Sequence, residues 1–244
     1  YGSNNQRKRL AGAKGYYQVG GTGDVMIATD SLPTNTQWQD QIYQRGMAQD
    51  INVALSGGVK GLPYRLGIGY YSETGVLKTS ALDRYSVTLN ASPKITRNLT
   101  ANVSAKAYRA YNVYANQGAI GSAVWFDPTR EVLSGDTSKY GGYFEWALPT
   151  GALSNLSPRN PVGLLNLRDD RGTNDRFIGN VLFDYKPLSE TDLHLYVNVG
   201  GDFGANKGTV VVPDYAAMNF VNRGENNRYY NTRSNQLIET YFNY

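Results

Sequence analysis

The 244-residue chain contains no cysteine. That excludes disulfides, thiolate metal sites and cysteine nucleophiles. Histidine occurs once, as His194, which nearly excludes a histidine-based triad or a two-histidine metal site. No apolar run approaches the ~18 residues needed to cross a bilayer as a helix. There is also no hydrophobic leader segment. Charge of neither sign is concentrated: the net charge is +4 and the cations are scattered, so nucleic acid is not an expected partner. The chain starts at Tyr1 rather than at methionine, and a missing upstream segment is expected.

Tyrosine (20), glycine (27) and asparagine are plentiful. Glycine and asparagine depress helix and tyrosine favours strand, so an all-β protein is expected. Residues 1–49 read as an irregular segment, with one short helical turn between Thr36 and Arg45. From residue 50 the pattern becomes strict alternation, the mark of strands whose two faces meet different surroundings. One face carries Ile51, Val53 and Leu55. It continues through Tyr64, Leu66, Ile68 and Tyr70, then Tyr85, Val87, Leu89 and Ala91, then Leu99, Ala101, Val103, Ala105 and Ala107. After a gap come Phe177, Gly179, Val181, Phe183 and Tyr185, and then Leu193, Leu195, Val197, Val199, Gly201 and Phe203. A seventh strand, Asn235 to Tyr244, would add Ile238, Thr240 and Phe242. These positions are uncharged. The interleaved ones carry Arg65, Arg84, Lys106, Arg176, Asp184 and Asp202.

Alternation does not say which face is inside. A soluble sandwich buries its apolar face, whereas a membrane barrel turns it to lipid. Three features favour the barrel. Several strands reach ~10 residues, the length of a tilted transmembrane strand. Small residues are mixed with aromatics on the apolar face, and the aromatics fall near strand ends, as in an interfacial girdle. Connections alternate between short (57–62, 93–98, 187–191) and longer (73–82, 112–172, 205–230), which puts the long loops at one end. The fold expected is therefore an antiparallel transmembrane β-barrel segment of about seven up-and-down strands, spanning 50–244, with long outer loops 112–172 and 205–230. A small closed eight-stranded barrel with a structural or adhesive role, its extra strand near Tyr16 to Val19, and a soluble β-sandwich binding module remain open.

The order of several motifs resembles the early-to-middle barrel of SusC/RagA-type TonB-dependent outer-membrane transporters. These are Trp38-Gln-Asp-Gln-Ile-Tyr-Gln44, Asn52-Val-Ala-Leu-Ser-Gly-Gly58, Tyr64-Arg-Leu-Gly-Ile-Gly-Tyr-Tyr71 with its acidic-Gly loop, and Asp83-Arg-Tyr-Ser-Val-Thr-Leu-Asn90. Asn160-Pro161 and Arg176-Phe-Ile-Gly-Asn-Val-Leu-Phe-Asp-Tyr185 complete the set. The resemblance covers roughly residues 36–110 and 158–204. It implies an outer-membrane location in a Gram-negative bacterium, contact with membrane lipid and a barrel much larger than seven strands. It further implies a SusD-like surface lipoprotein partner, TonB engaged through a segment not present here, and uptake of a glycan or peptide ligand. It implies no cofactor and no enzyme activity.

The ligand- or partner-contact candidates lie in the outer loops: Trp125, Phe126, Tyr140, Tyr143, Phe144 and Trp146, with Tyr215 and Phe220 in the second loop. Aromatic faces stack on sugar rings or apolar side chains, and they equally pack on one another. The charges on the polar face would line the lumen and pair there or flank a transport path. Asp169 and Asp170 sit beside Arg168 and Arg171, which charge balance explains. Gly20-Gly-Thr-Gly-Asp24 lacks the lysine and the flanking elements of a phosphate loop.

Overall fold

The computed structural model describes residues 16–18, 25–27, 34–148, 150–188 and 191–244. Two three-residue strands, β1 (Tyr16–Gln18) and β2 (Val25–Ile27), pair with each other. The strand expected near Tyr16 thus exists, but it does not join the main sheet. The Gly20–Asp24 segment lies outside the described residues. Helix α1 (Trp38–Ile42) is the expected helical turn.

Seven antiparallel strands in sequence order form one sheet. They are β3 (Met47–Val59), β4 (Leu62–Thr74), β5 (Ala81–Ala91), β6 (Leu99–Val113), β7 (Asp169–Tyr185), β8 (His194–Val212) and β9 (Glu225–Asn243). The sheet begins three residues before the expected position 50. β3 and β9 do not pair with each other, so the sheet is an open, up-and-down segment with two free edges among the described residues.

Register is unbroken across all seven strands. One continuous row reads Gly57, Tyr64, Ala91, Val103, Val181, Val199 and Ile238. The row one residue along reads Ser56, Arg65, Asn90, Ser104, Asn180, Gly200 and Leu237. With a side-chain period of 2, a single slip would exchange these faces, so the alternation in sequence is what holds the register. On the apolar face, no charge occurs between the row containing Val53, Val87 and Phe203 and the row containing Leu99, Tyr185 and Phe242. Along β7 that stretch runs from Phe177 to Tyr185, ~26 Å at ~3.3 Å per residue and ~20 Å tall at a tilt of roughly 40°. Aromatics border it: Tyr70, Tyr85, Phe177 and Phe203 at one side, Tyr185 and Phe242 at the other.

Two glycines in this band are explained by their neighbours. A Cβ at Gly179 would fall 2.9 Å from the Phe177 ring, and one at Gly201 would fall 2.5 Å from the Phe203 ring. Each ring lies back over the glycine two residues away on its own strand. The hairpin β3–β4 closes on Lys60 and Gly61, both at positive φ (33° and 86°), the two-residue turn whose twist matches paired strands.

The second long loop is much shorter than 205–230. β8 continues to Val212 and β9 begins at Glu225, leaving a connection of 213–224. Likewise the first loop is 114–168, because β6 ends at Val113 and β7 starts at Asp169. The strands overrun the ~10 residues needed to cross a bilayer; β8 has 19. In the overrun the apolar face takes up polar and charged residues such as Lys207 and Thr209, and the alternation that marks a strand in sequence is lost there.

Candidate functional site

The long loops fold into a lobe around a small core of its own. Trp38 and Ile42 of α1, Leu77, Ala119 and Ala123 of α2 (Gly118–Trp125), Phe126, and Leu164 and Leu165 of α3 (Pro161–Asn166) form it, with Phe144, Trp146 and Met218 against its edge. The Trp38 indole meets Phe126 edge-on at 4.6 Å and donates its Nε1–H to the Asp127 carbonyl at 2.9 Å. Phe126 meets Phe144 at 6.3 Å, and Phe144 meets Trp146 at 5.3 Å, both edge-on. The Arg130 guanidinium sits 4.8 Å from the Trp146 centroid and 5.3 Å from Phe144, within cation–π range.

Asn160 ties the lobe together. It is fully buried. Its Oδ1 accepts from the Val162 and Gly163 N–H groups at 3.0 and 3.1 Å, capping α3, while Pro161 occupies the first helical position. Its Nδ2 donates to the Val132 and Phe144 carbonyls at 2.9 and 3.2 Å. Its backbone N–H donates to Glu145 Oε1 at 2.9 Å. Glu145 Oε2 has no hydrogen-bond partner among the described residues. Burial pushes the Glu145 carboxyl up to about 7, against the opposing pull of the Asn160 N–H and of Arg159. Asp127 is buried too. Its Oδ1 accepts from the Thr129 N–H (2.9 Å) and hydroxyl (2.8 Å), and its Oδ2 faces Arg130 Nε at 3.6 Å, an ion pair outside hydrogen-bond range.

The loops cover one face only. Near the long-loop ends, Ala110, Asp170, Val210 and Val212 on the polar face are buried, while Val211 between the last two is 40% exposed. A Cβ at Gly172 would fall 3.1 Å from the Tyr114 ring and 2.8 Å from the Tyr229 hydroxyl, so these tyrosines lie across Gly172, and Tyr229 across Gly208 as well. Both glycines share the polar face with Arg176 and Asp202.

The aromatic candidates separate into two sets. Phe126 is buried, and Phe144 and Trp146 pack beside it as lobe core. Tyr143 lies against Gly163, its hydroxyl accepting from Asn166 Nδ2 at 3.0 Å. By contrast Trp125 is 79% exposed, and Tyr215 and Phe220 are also exposed. Tyr140, at φ 50°, meets Phe220 edge-on at 5.4 Å, and the Tyr215 ring lies beside Gly141. The structure therefore brings Tyr140, Tyr215 and Phe220 together and leaves Trp125 apart.

All the charges expected on the polar face share it by register. Arg176 and Asp202 form a two-pronged pair (2.8 and 2.7 Å). Asp184 contacts His194 Nδ1 at 2.6 Å, and the His194 ring stacks on Tyr196. The Arg84 guanidinium lies over Tyr71 at 5.1 Å. Arg65 and Lys106 stand on the same face. The loop-edge charges balance as expected, Arg168 with Asp170 and Arg171 with Asp169, each at 2.7 Å. Reading the sequence alone missed Asn160 as the lobe's junction, although an asparagine before proline is a helix-start signal. It also missed Arg109 and Asp175, which pair at 2.5 and 2.9 Å on the apolar face, in the row of Tyr70 and Tyr85.

Compared with known proteins, the chain matches the TonB-dependent receptor SusC of Bacteroides thetaiotaomicron. The match is 36% identical over 210 residues, 81% of this chain and 21% of the receptor. The chain is homologous to part of a SusC-type TonB-dependent receptor. TonB-dependent receptor P3 of Formosa agariphila is 35% identical over 65 residues, 27% of this chain and 6% of that protein. The SusC-type segment thus spans about a fifth of the length of the SusC receptor. No family model matches. Among solved structures, the RagAB peptide transporter superposes with a TM-score of 0.54 at 17% identity, covering 76% of this chain and 21% of that one. The RagAB peptide importer in its closed-closed state gives 0.53 with the same identity and coverage. At that identity the likeness speaks for the fold. The fold is a transmembrane β-barrel segment with long loops at one end, and the relatives are receptors and importers rather than enzymes.

Proposed function

We propose that the SusC-type segment is barrel wall and outer loops of a TonB-dependent transporter in the outer membrane of a Gram-negative bacterium. The whole protein imports glycans or peptides, takes its energy from TonB through a segment outside this chain, and works with a SusD-like surface lipoprotein. The observation that carries this is the 36% identity to a TonB-dependent receptor over most of the chain.

The geometry supports a division of labour. The charge-free face meets lipid, and the face bearing Arg65, Arg84, Lys106, Arg176, Asp184 and Asp202 lines the lumen. The lobe folds over that polar face at the outer end. There Phe126, Tyr143, Phe144 and Trp146 hold the lobe, while Trp125, Tyr140, Tyr215 and Phe220 offer ring faces to ligand or lipoprotein.

The test is uptake of labelled oligosaccharides and peptides by cells with and without the full-length gene. Loss of one substrate class on deletion, and equal loss when a protonophore collapses the inner-membrane gradient, is the expected result. Unchanged uptake of both classes would refute the reading.

A further inference from the structure

Charges on the polar face are matched within the sheet at some positions and left open at others. Arg176 is held by Asp202, and His194 by Asp184. On β4, β5 and β6 the same face carries Arg65, Arg84 and Lys106. It carries no carboxylate there between the row of Asn102 and the row of Ala110. Arg84 lies over Tyr71. Arg65 and Lys106 are exposed, and neither forms a salt bridge among the described residues.

Arg65 stands in a shallow pocket of about 430 Å³ that crosses β4 to β7 near the end of the short turns, and it is the only charged residue of the lining. That volume is ordinary for a small-ligand site. The row of Arg65 contributes Asn90, Ser104 and Asn180, and the next row toward the turns adds Asn102 and Leu182. Asn180 Nδ2 donates to Asn198 at 3.3 Å, whereas the side chains of Asn90, Asn102 and Ser104 bond to nothing among the described residues. Each of these amide and hydroxyl groups can both donate and accept, as a sugar hydroxyl can. Leu182 offers an apolar surface to the C–H face of a sugar ring. Lys106 lies two residues beyond Ser104 on the same face, ~7 Å along β6, so a second positive charge adds to the field at the pocket. A guanidinium without a carboxylate of its own, set among amides and hydroxyls, is complementary to a sugar that bears an anionic group. Its planar fork takes such a group through two parallel hydrogen bonds. A peptide would instead call for pockets that take alternate side chains, and this lining is amide and hydroxyl.

We propose that Arg65, with Asn90, Asn102, Ser104 and Asn180, binds an acidic residue of a glycan on the inner wall of the barrel, toward the end of the short turns. The ligand class is an oligosaccharide carrying carboxylate or sulfate, and Lys106 favours it over a neutral chain. The site lies away from the ring faces of the loop lobe. It rests on the reading of the polar face as the lumen of a transporter.

The experiment measures binding of acidic tetrasaccharides (galacturonan, alginate and carrageenan) to the full-length protein in detergent, by calorimetry. Each is compared with its neutral counterpart, methyl-esterified or desulfated. The variants are Arg65→Gln, Arg65→Lys and, as a control with the same charge change outside the pocket, Lys94→Gln. At least one acidic tetrasaccharide should bind wild type about tenfold or more tightly than its neutral counterpart. Arg65→Gln should erase that ratio, Arg65→Lys should keep part of it, and Lys94→Gln should leave it unchanged. Preference for galacturonan or alginate identifies the anion as carboxylate, and preference for carrageenan identifies it as sulfate; both support the site. A ratio near one for every pair in wild type, or a ratio that survives Arg65→Gln, overturns it. An unmoved ratio with a lowered unfolding temperature of ligand-free Arg65→Gln also overturns it, by showing that Arg65 pairs with a carboxylate elsewhere in the full-length protein. Cellular uptake confined to peptides would overturn the glycan reading and the site together, whereas glycan uptake with an unmoved ratio overturns the site alone.

Discussion

Replacing Asn160 by alanine should release the outer lobe while leaving the sheet intact. The side chain makes four hydrogen bonds from a fully buried position. Loss of the cap costs about 1 kcal/mol. The Phe144 carbonyl would lose its bond to Nδ2 in a buried setting, for roughly 1–2 kcal/mol. The Val132 carbonyl keeps the Phe144 N–H at 3.1 Å and loses less. The sum is about 3 kcal/mol, or on the order of a hundredfold in the opening equilibrium of the lobe. Hydrogen exchange of the full-length protein, resolved by peptide, reads this directly. Amides within 114–168 should exchange about a hundredfold faster, and those of β4 to β8 should be unchanged. Asn160→Asp keeps the cap acceptor but places an oxygen against two carbonyls, so it should also loosen the lobe. A change below about threefold for Asn160→Ala would refute the claim that this residue holds the loops together. Full rescue by aspartate would show that only the cap matters.

Other outcomes follow from the same contacts. Because burial raises the Glu145 carboxyl to about 7, the folded lobe binds its proton more tightly than the opened lobe does. Its stability should then be greatest at low pH, fall as pH rises from the ordinary carboxylate range to about 7, and level off above; Glu145→Gln should flatten that part of the profile in a pH series of lobe exchange. Trp38→Ala removes a buried ring and its hydrogen bond and should cost ~3–5 kcal/mol of lobe stability, while exposed Trp125→Ala should stay within ~0.5 kcal/mol by the same exchange assay and act only on uptake or partner binding. Gly208→Ala drives a Cβ into the Tyr229 ring and should cost roughly 1–3 kcal/mol, whereas Gly204, whose Cβ would meet nothing nearer than 3.8 Å, should accept alanine at less than ~1 kcal/mol in thermal unfolding of the barrel.

Where each strand face meets one medium, the sequence was enough. Val53 through Phe203 alternate apolar with polar positions, and the pairing rows reproduce that division strand by strand. The outer thirds of β8 and β9 were invisible for the opposite reason. Asn206-Lys207-Gly208 and Asn226-Asn227-Arg228 carry polar residues or glycine at every position, so nothing in their pattern distinguishes strand from loop. The lobe was legible only as a supply of aromatics. That Phe126 is buried and Trp125 exposed depends on which side of one short helix faces α1 and α3, elements far apart in sequence. Asn160 carried a local cap signal, but its bonds to the Val132 and Phe144 carbonyls required the fold.

The central claim is that the two faces of the sheet meet lipid and the barrel interior. This segment has no cysteine, so no thiol of its own competes with spin labels at Val199 and Asn198, neighbours on opposite faces of β8. Power-saturation measurements on Val199→Cys and Asn198→Cys in the full-length protein, reconstituted in bilayers, read the medium each label meets. The Val199 label should be relaxed by oxygen and shielded from a polar nickel complex, with the reverse at Asn198. Nickel access at Val199 equal to or greater than at Asn198 would contradict the account.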